Sequence, residues 1–361
     1  MKIAIVHDWL TGMRGGEKCL EVFCELYPQA DIFTLIHNKG SLSPLIEKMN
    51  IKTSFLQNIP GIKNNYRNYL ALYPAAIESF NLKGYDLILS SSHCVAKGIR
   101  ISDAAMHICY CYTPMRYAWL FFEEYFGNYS PIKKAAIKTL IKYLRKWDLK
   151  TNAGVDFFVA ISDNIRLRID DFYGRQAKVI YPPVDTSRFN LSTKDEGYYL
   201  IVSALVPYKR VDIAIEAFNR LGKKLIVIGT GNCQNKLKKL AGKNIEFIGW
   251  ADDNALQKYY RNSRALIFPG EEDFGIVPLE AQACGKPVIA FAKGGATETL
   301  TRQTAVFFEN QSAQGLIAAI NEFEIRKDDF KPETMRENSL RFDRKIFKEK
   351  IKNYIEEKLH A

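Results

Sequence analysis

The chain of 361 residues lacks several features that would place it in common classes of protein. No apolar run approaches the ~18 residues that cross a bilayer, and the first strand-like run, Met1 to Val6, is too short for a signal peptide. The seven cysteines include no Cys-x-x-Cys pair. These absences predict a reduced, cytoplasmic protein without a structural zinc site or a membrane-spanning segment.

Length and charge narrow the possibilities further. A chain of 361 residues exceeds the usual single domain and predicts two. Its apolar fraction of 47% and charged fraction of 25% are ordinary for a globular protein. The net charge of +11 favours an anionic partner, which can be nucleic acid, an anionic membrane surface or a phosphorylated substrate. Because the sequence contains no nucleic-acid-binding motif, the last two are preferred.

The most informative stretch contains two consecutive strand–loop–helix units. Ala265 to Phe268 reads as a buried strand, a helix is predicted to open near Pro278 and to stop at Gly285, and Val288 to Ala290 reads as the next strand. Gly294-Gly295 then opens a second loop. Loops of this kind meet at the carboxyl edge of a parallel sheet, which is where such sheets bind ligands.

The chemistry of this edge suits a ligand with both phosphate and hydroxyl groups. Backbone N–H groups of Phe274, Gly275 and Ile276 are expected at a helix N-terminus, which favours an anion. Glu272 and Glu280 flank that terminus, and carboxylates accept hydrogen bonds from hydroxyls. The combination predicts a nucleotide-sugar site, although both acids could also be ordinary loop and cap residues.

The segment from Glu272 to Ala281, continued by Gly285-Lys-Pro-Val288 and Gly294-Gly295, resembles the E-x7-E signature of retaining glycosyltransferases with the GT-B fold. This is glycosyltransferase family 4, or group 1, and the chain is similar to its bacterial mannosyltransferases of polysaccharide assembly. The resemblance implies that Glu272 contacts the donor sugar and that Glu280 contacts the ribose.

The same resemblance implies a fold and a division of the chain. The fold class is α/β, with two Rossmann-like parallel-sheet domains facing a central cleft. Residues 1–183 form the N-terminal acceptor-binding domain and residues 184–340 the nucleotide-sugar-binding domain. A C-terminal helix within residues 341–361 returns to the first domain.

Further donor-site residues are expected outside the signature. Lys209 matches the lysine that meets the leaving phosphate, and Arg210 can supply a second charge, because Ala204 stands where many relatives have an arginine. A plain surface role for Arg210 remains an alternative. Loop residues complete the expected donor site: Gly15, Gly16, Ser203, Gly229, Gly231 and Trp250. For the Gly15-Gly16 pair, an ordinary turn is an equal alternative.

The acceptor side is predicted from polar residues after two strands of the first domain. His93 could orient an acceptor hydroxyl and is a catalytic candidate, while Lys97 or Arg116 could hold a phosphate. Tyr112 occupies the position at which the family often has a histidine, so it is expected to contact the acceptor in another way. A structural role for His93 remains an alternative.

A basic amphipathic helix is predicted over residues 131–150. Its apolar stripe ends at Trp147, and its seven basic residues against Asp148 give a net charge of +6. Such a helix can lie on an anionic membrane, which would make the protein peripheral on the inner face of the plasma membrane. Alternatively, its apolar stripe enters the core of the domain.

The function that these patterns favour is transfer of a hexose, with retention, from a nucleotide sugar to a glycan or lipid-linked acceptor. GDP-mannose is the first choice of donor and a UDP-sugar the alternative. No tightly bound cofactor is expected, and no metal, since the sequence has no Asp-x-Asp motif. An NAD-dependent oxidoreductase that uses the N-terminal glycine-rich loop or the Gly229 loop, and an inactive sugar-binding protein, remain competing interpretations.

Overall fold

A computed structural model describes residues 1–102, 104–120, 122–127 and 129–360. The chain divides into two compact units. One unit comprises Met1–Pro182 together with Phe347–Ala361, and the other comprises Pro183–Ile346. Each unit is built around its own sheet.

The N-terminal unit contains a seven-stranded sheet of order β3-β2-β1-β4-β5-β6-β7, in which every pairing is parallel. Strand order departs from chain order between β1 and β4, so the loops after these two strands begin at a topological switch point, where doubly wound sheets bind ligands. The strands are β1 Ile3–His7, β2 Asp31–Thr34, β3 Asn50–Thr53, β4 Leu87–Ser92, β5 Met106–Cys111, β6 Phe157–Ala160 and β7 Ala177–Val179.

Helices cover this sheet, and local capping sets their ends. Ser162 Oγ accepts a hydrogen bond from the Ile165 amide, 3.2 Å away, and so begins α8, which ends at Gly174 in the left-handed conformation. The helices are α1 Gly15–Leu26, α2 Pro44–Glu47, α3 Ile62–Asn65, α4 Tyr73–Glu78, α5 Arg116–Trp119, α6 Phe122–Phe126, α7 Pro131–Lys150 and α8 Asp163–Tyr173.

The packing of helix α7 shows which of the two interpretations of its apolar stripe is correct. Ile141, Leu144 and Trp147 are buried in the core of the N-terminal unit. Trp147 Nε1 donates a hydrogen bond to Glu78 Oε1 over 2.5 Å, and its ring leaves no room for a Cβ at Gly98. The expectation that this stripe and Trp147 lie on a membrane is therefore wrong, because they are already packed against protein.

The C-terminal unit contains a six-stranded parallel sheet of order β10-β9-β8-β11-β12-β13. Its strands are β8 Tyr198–Val202, β9 Lys224–Ile228, β10 Ile245–Gly249, β11 Ala265–Phe268, β12 Val288–Phe291 and β13 Ala305–Phe308. The helices are α9 Val211–Leu221, α10 Gln234–Leu240, α11 Asp253–Asn262, α12 Ile276–Ala283, α13 Ala296–Thr299, α14 Ala313–Arg326 and α15 Pro332–Leu340. The last helix, α16 Arg344–Leu359, begins in this unit and continues into the N-terminal unit.

Alternate residues of these strands enter two separate cores, one on each face of the sheet. In β8, Tyr199 and Ile201 belong to one core, while Tyr198 and Leu200 belong to the other. Both faces are apolar because helices cover both, as expected of a buried parallel sheet. The prediction of two parallel-sheet α/β domains is confirmed.

The start of α12 differs from the prediction, and α16 belongs to both units. Helix α12 begins at Ile276, two residues before the predicted start, because Gly275 takes the left-handed conformation (φ 98°) at its N-cap. Helix α16 buries Phe347, Ile351 and Ile355, and the part from Phe347 onward belongs to the N-terminal unit. In the described part of the chain, no helix combines the length and apolar character needed to span a membrane.

Candidate functional site

Two loops of the C-terminal unit are interlocked at the carboxyl edge of its sheet. The loop after β12 reaches the loop after β11, where the Gly295 amide donates a hydrogen bond to the Glu272 carbonyl over 2.8 Å. A Cβ on Gly294 would lie 2.3 Å from that carbonyl oxygen, and one on Gly295 would lie 2.3 Å from Phe274 Cα. Both positions therefore require glycine, and the contact holds the Glu272 loop in place.

The loop after β8 brings Lys209 to the same edge. Lys209 Nζ forms an ion pair with Glu272 Oε1, and the two side chains are only 14% and 21% exposed. The loop containing Gly270 packs directly beneath, since a Cβ there would lie 3.0 Å from Lys209 Cα. The structure thus places the predicted phosphate-binding lysine in contact with the predicted sugar-binding carboxylate.

Glu280 lies on the second turn of α12, because the helix starts two residues earlier than predicted. The Tyr260 hydroxyl donates a hydrogen bond to Glu280 Oε2 over 3.0 Å. Burial, followed by the neighbouring Glu280 charge, raises the pKa of Tyr260 well above its usual range, so Tyr260 stays a donor. This hydrogen bond orients the half-buried carboxylate.

The residues at the start of α12 are held by packing. Phe274 and Gly275 are buried, and the Phe274 ring packs against Phe342 at 5.7 Å between centroids. Ile276, the first helical residue, is half-buried. Glu272 precedes Ile276 by only four residues, so the N-terminus of this eight-residue helix follows directly after the Lys209–Glu272 pair along the chain. Both the helix dipole and Lys209 favour an anion there.

Arg210 has an unusual backbone and its own partners. It is the one non-glycine residue with positive φ (51°) among the described residues. Its guanidinium lies 3.3 Å from Asp212 Oδ1 and 3.3 Å from Gln311 Oε1. The predicted second phosphate contact is therefore engaged by neighbouring side chains in this structure.

The remaining donor-site candidates differ in their surroundings. Gly229 and Gly231 are explained by close packing, because Cβ atoms there would lie 1.9 Å from the Ser203 carbonyl oxygen and 2.3 Å from that of Leu205. A dinucleotide is not needed to account for this G-x-G. Trp250, just after β10, is 77% exposed. The site role of these residues stays a prediction.

In the N-terminal unit, Asp8 organises the loop after β4. Its buried carboxylate accepts hydrogen bonds from four consecutive amides, those of residues 93–96, at 2.6–3.0 Å. Asp8 Oδ2 also lies 2.9 Å from His93 Nδ1. Burial alone would raise the pKa of Asp8, but the charge and hydrogen bonds of His93, with a smaller contribution from the charge of His7, outweigh it and lower the pKa to about 2. Sequence reasoning did not identify Asp8, although its position directly after the first strand was a signal.

Tyr112 and the glycine pair also come together. The Tyr112 hydroxyl donates to the Gly16 carbonyl over 3.0 Å and lies 2.8 Å from Ser91 Oγ. Ser91 Oγ in turn lies 3.0 Å from His7 Nδ1. Gly15 begins α1, so its N-terminus lies at the carboxyl edge of this sheet. Tyr112 therefore holds Gly16, and neither His7 nor Ser91 was predicted.

Lys97 does not have the predicted role. Its side chain is buried, and Nζ lies 2.9 Å from Asp148 Oδ1 and 2.6 Å from the Asp148 carbonyl oxygen. The expectation that Lys97 holds a substrate phosphate is wrong, because its charge is used to neutralise Asp148 inside the unit. Arg116 lies half-buried at the start of α5 and stays a candidate.

No group of three or more His, Cys, Asp or Glu side chains that could hold a metal ion occurs among the residues described here. The charges at the edge of the C-terminal sheet include those of Lys209, Glu272 and Glu280, together with the α12 dipole. Such a set can bind phosphate and hydroxyl groups side by side.

Comparison with solved structures identifies the fold of the two units. Over 99% of this chain and 100% of the other, the structure is similar to Alr3699/HepE of Anabaena in complex with UDP (TM-score 0.71, 17% identity). It is also similar to sucrose-phosphate synthase of Thermosynechococcus elongatus over the whole of both chains (TM-score 0.76, 16% identity). The two parallel-sheet units have the GT-B fold of glycosyltransferases.

Sequence similarity identifies the domain more closely. Residues 184–341, within the C-terminal unit, match the model of the family described as "Glycosyl transferases group 1". An uncharacterised glycosyltransferase of Methanocaldococcus jannaschii is 30% identical over 234 residues, which cover 62% of this chain and 63% of the relative.

A second curated relative carries a specific name. The GDP-mannose-dependent monoacylated alpha-(1-6)-phosphatidylinositol monomannoside mannosyltransferase of Corynebacterium glutamicum is 28% identical over 199 residues, covering 46% of this chain and 52% of the relative. The chain thus spans less than two thirds of the length of either curated relative.

Proposed function

We propose that the protein is a retaining glycosyltransferase that moves a hexosyl group from a nucleotide sugar to a glycan or lipid-linked acceptor. The observation that carries this proposal is the Lys209–Glu272 contact beside the N-terminus of α12. The Lys209 ammonium suits the departing diphosphate, and the Glu272 carboxylate suits the hydroxyls of the transferred sugar. The group 1 match over residues 184–341 supports the same reaction.

The residues of this edge would act mainly through electrostatics. The bond between the anomeric carbon and the phosphate oxygen breaks, a glycosidic bond forms on the same face of the sugar, and the acceptor hydroxyl passes its proton to the leaving diphosphate. Lys209 and the N-terminus of α12 stabilise the charge that develops on that diphosphate. Glu272 orients the sugar, Glu280 holds the ribose, and the reaction needs no metal ion.

The donor we propose is GDP-mannose. Its support is the name of the Corynebacterium glutamicum relative and the name shared by its relatives in two strains of Mycobacterium tuberculosis, all GDP-mannose-dependent mannosyltransferases. A UDP-sugar is the second candidate, since solved structures with the same fold hold UDP.

A panel of nucleotides and sugar donors tests this proposal. GDP at 100 times its Kd should stabilise the fold by ~2.7 kcal/mol, and GDP-mannose should give turnover with retained anomeric configuration by NMR. Stabilisation by NADH but not by nucleoside diphosphates would instead indicate an oxidoreductase. Nucleotide binding without turnover on any donor would indicate an inactive sugar-binding protein.

We also propose that the exposed face of α7 contacts anionic membranes. With the apolar stripe buried, this contact is electrostatic and uses the exposed side chains of Lys138, Lys142, Arg145 and Lys146. The protein should sediment with anionic vesicles at low salt and be released at high salt. Neutralising these four residues together should prevent sedimentation; a variant that still pellets would exclude this face.

A further inference from the structure

The loop after β4 is fixed by a single buried carboxylate. Asp8 is fully buried and accepts the amides of His93 and the next three residues, so the backbone of this loop is already anchored without any side chain of its own. The additional contact from Asp8 Oδ2 to His93 Nδ1, at 2.9 Å, therefore serves the imidazole ring and not the loop.

The contact determines which nitrogen of His93 carries a proton. Asp8 is ionised, because its pKa is lowered to about 2, so it can only accept a hydrogen bond. His93 Nδ1 must then be the donor, which leaves Nε2 of the neutral ring as an acceptor. The His93 side chain is 33% exposed, and Nε2 has no hydrogen-bond partner within the described part of the chain.

Aromatic neighbours hold the ring in this orientation. Trp9 packs against it edge-on, with centroids 4.5 Å apart and planes at 86°. The other titratable rings that face it are His7 and Tyr112, each at 6.4 Å between centroids. Glu17 acts on His93 through its charge from the first turn of α1. Asp8 is thus the charged group in direct contact with the ring.

We propose that Asp8 is a positioning residue for the transfer reaction: it fixes the tautomer and direction of His93 so that Nε2 accepts a hydrogen bond from a sugar hydroxyl of the substrate. This inference rests on the proposed glycosyltransferase function. His93 touches the substrate, and Asp8 acts through His93 alone. The hydroxyl can belong to the donor sugar or to the acceptor, and the KM measurements below distinguish the two.

Two substitutions of His93 test the roles of the two ring nitrogens separately. In His93→Asn, the shorter side-chain amide can take the place of Nδ1 and keep the bond to Asp8, but it cannot reach the position of Nε2. In His93→Gln, the longer side-chain amide reaches the position of Nε2 and gives up the bond to Asp8. We expect His93→Asn to lower kcat/KM by about 10-fold or more, the factor for one lost hydrogen bond.

The ranking of these variants distinguishes positioning from a structural role. If Nε2 binds a hydroxyl, His93→Gln should remain more active than His93→Asn. If His93 only anchors its loop, His93→Asn should be nearly as active as the wild type, and that order would overturn the proposal. A rise in KM confined to the donor or to the acceptor identifies which of them supplies the hydroxyl.

A double-mutant cycle gives a readout that a structural role would not change. If Asp8 acts through the ring of His93, Asp8→Asn should lower kcat/KM more in the wild type than in His93→Gln, which has already lost the bond to Asp8. Equal factors of loss in the two backgrounds would contradict the proposal.

Because Asp8→Asn also disturbs four amide hydrogen bonds, a measurement on the wild type is needed beside it. NMR of ¹⁵N-histidine-labelled protein, assigned with His93→Asn, should show the Nδ1–H tautomer for the neutral ring of His93. The Nε2–H tautomer would overturn the inference. This measurement requires no substrate, so it tests the Asp8–His93 pair even if the wild type transfers no sugar, which would count against the proposed function alone.

Discussion

Replacing Glu272 by glutamine should tighten the binding of a bare nucleoside diphosphate while nearly abolishing transfer. Lys209 is paired with Glu272, and both side chains are largely buried. A diphosphate that takes Lys209 must first separate this pair. Glu272→Gln removes the competing charge but keeps the size and hydrogen-bonding capacity of the side chain, so Lys209 becomes available to the phosphate.

The size of the effect follows from the exposure of the pair. A fully exposed ion pair contributes ~0.2–1 kcal/mol, and at 14% and 21% exposure this pair should lie at or slightly above the upper end of that range. The gain in nucleotide affinity should then be about 1 kcal/mol, or roughly fivefold in Kd. Transfer should fall by ~10²–10³, the scale for removing one group that acts at the reacting centre.

Calorimetric titration of GDP and UDP into the wild type and Glu272→Gln measures this directly. Glu309→Gln is the matched control, since Glu309 is an exposed carboxylate of the same unit and its removal changes the net charge equally. The control should leave Kd within a factor of about two, as expected for a screened surface charge. Unchanged or weaker GDP binding by Glu272→Gln would refute the view that the ion pair competes with the diphosphate.

Three further outcomes are expected. Burial lowers the pKa of His107 from 6.5 to about 4, so His107 of the unfolded chain binds a proton at a higher pH than His107 of the folded chain. The free energy of unfolding, measured by urea titration, should therefore be about 2 kcal/mol lower at pH 5 than at pH 7. His107→Gln should lack most of this loss. Arg210→Gly should be more stable than Arg210→Ala by about 1 kcal/mol, because only glycine adopts φ 51° without strain, and equal stabilities would show that no strain is stored there. Lys97→Met should destabilise the fold by ~3–5 kcal/mol by leaving the Asp148 charge buried and unpaired; normal stability with loss of transfer alone would restore its substrate role.

Much of the fold and part of the donor site could be predicted from local sequence. The apolar strand Ala265–Phe268, the helix that follows it and the stop at Gly285 are local features, set by backbone hydrogen bonding and by the conformational preferences of glycine and proline. The spacing of Glu272 and Gly294 also predicted that their loops share one edge, because loops after adjacent parallel strands must meet there.

The partners of buried charges could not be predicted in this way. By composition, Trp147 fitted two environments and Lys97 fitted a phosphate contact. Only packing showed that Lys97 neutralises Asp148 and that Trp147 fills the space beside Gly98. Asp8 and the His93 amide it binds are 85 residues apart in sequence. The local sequence around Asp8 or His93 does not reveal this pairing. It is decided by the parallel alignment of β1 and β4 in the folded sheet, which brings the carboxyl ends of both strands to one edge.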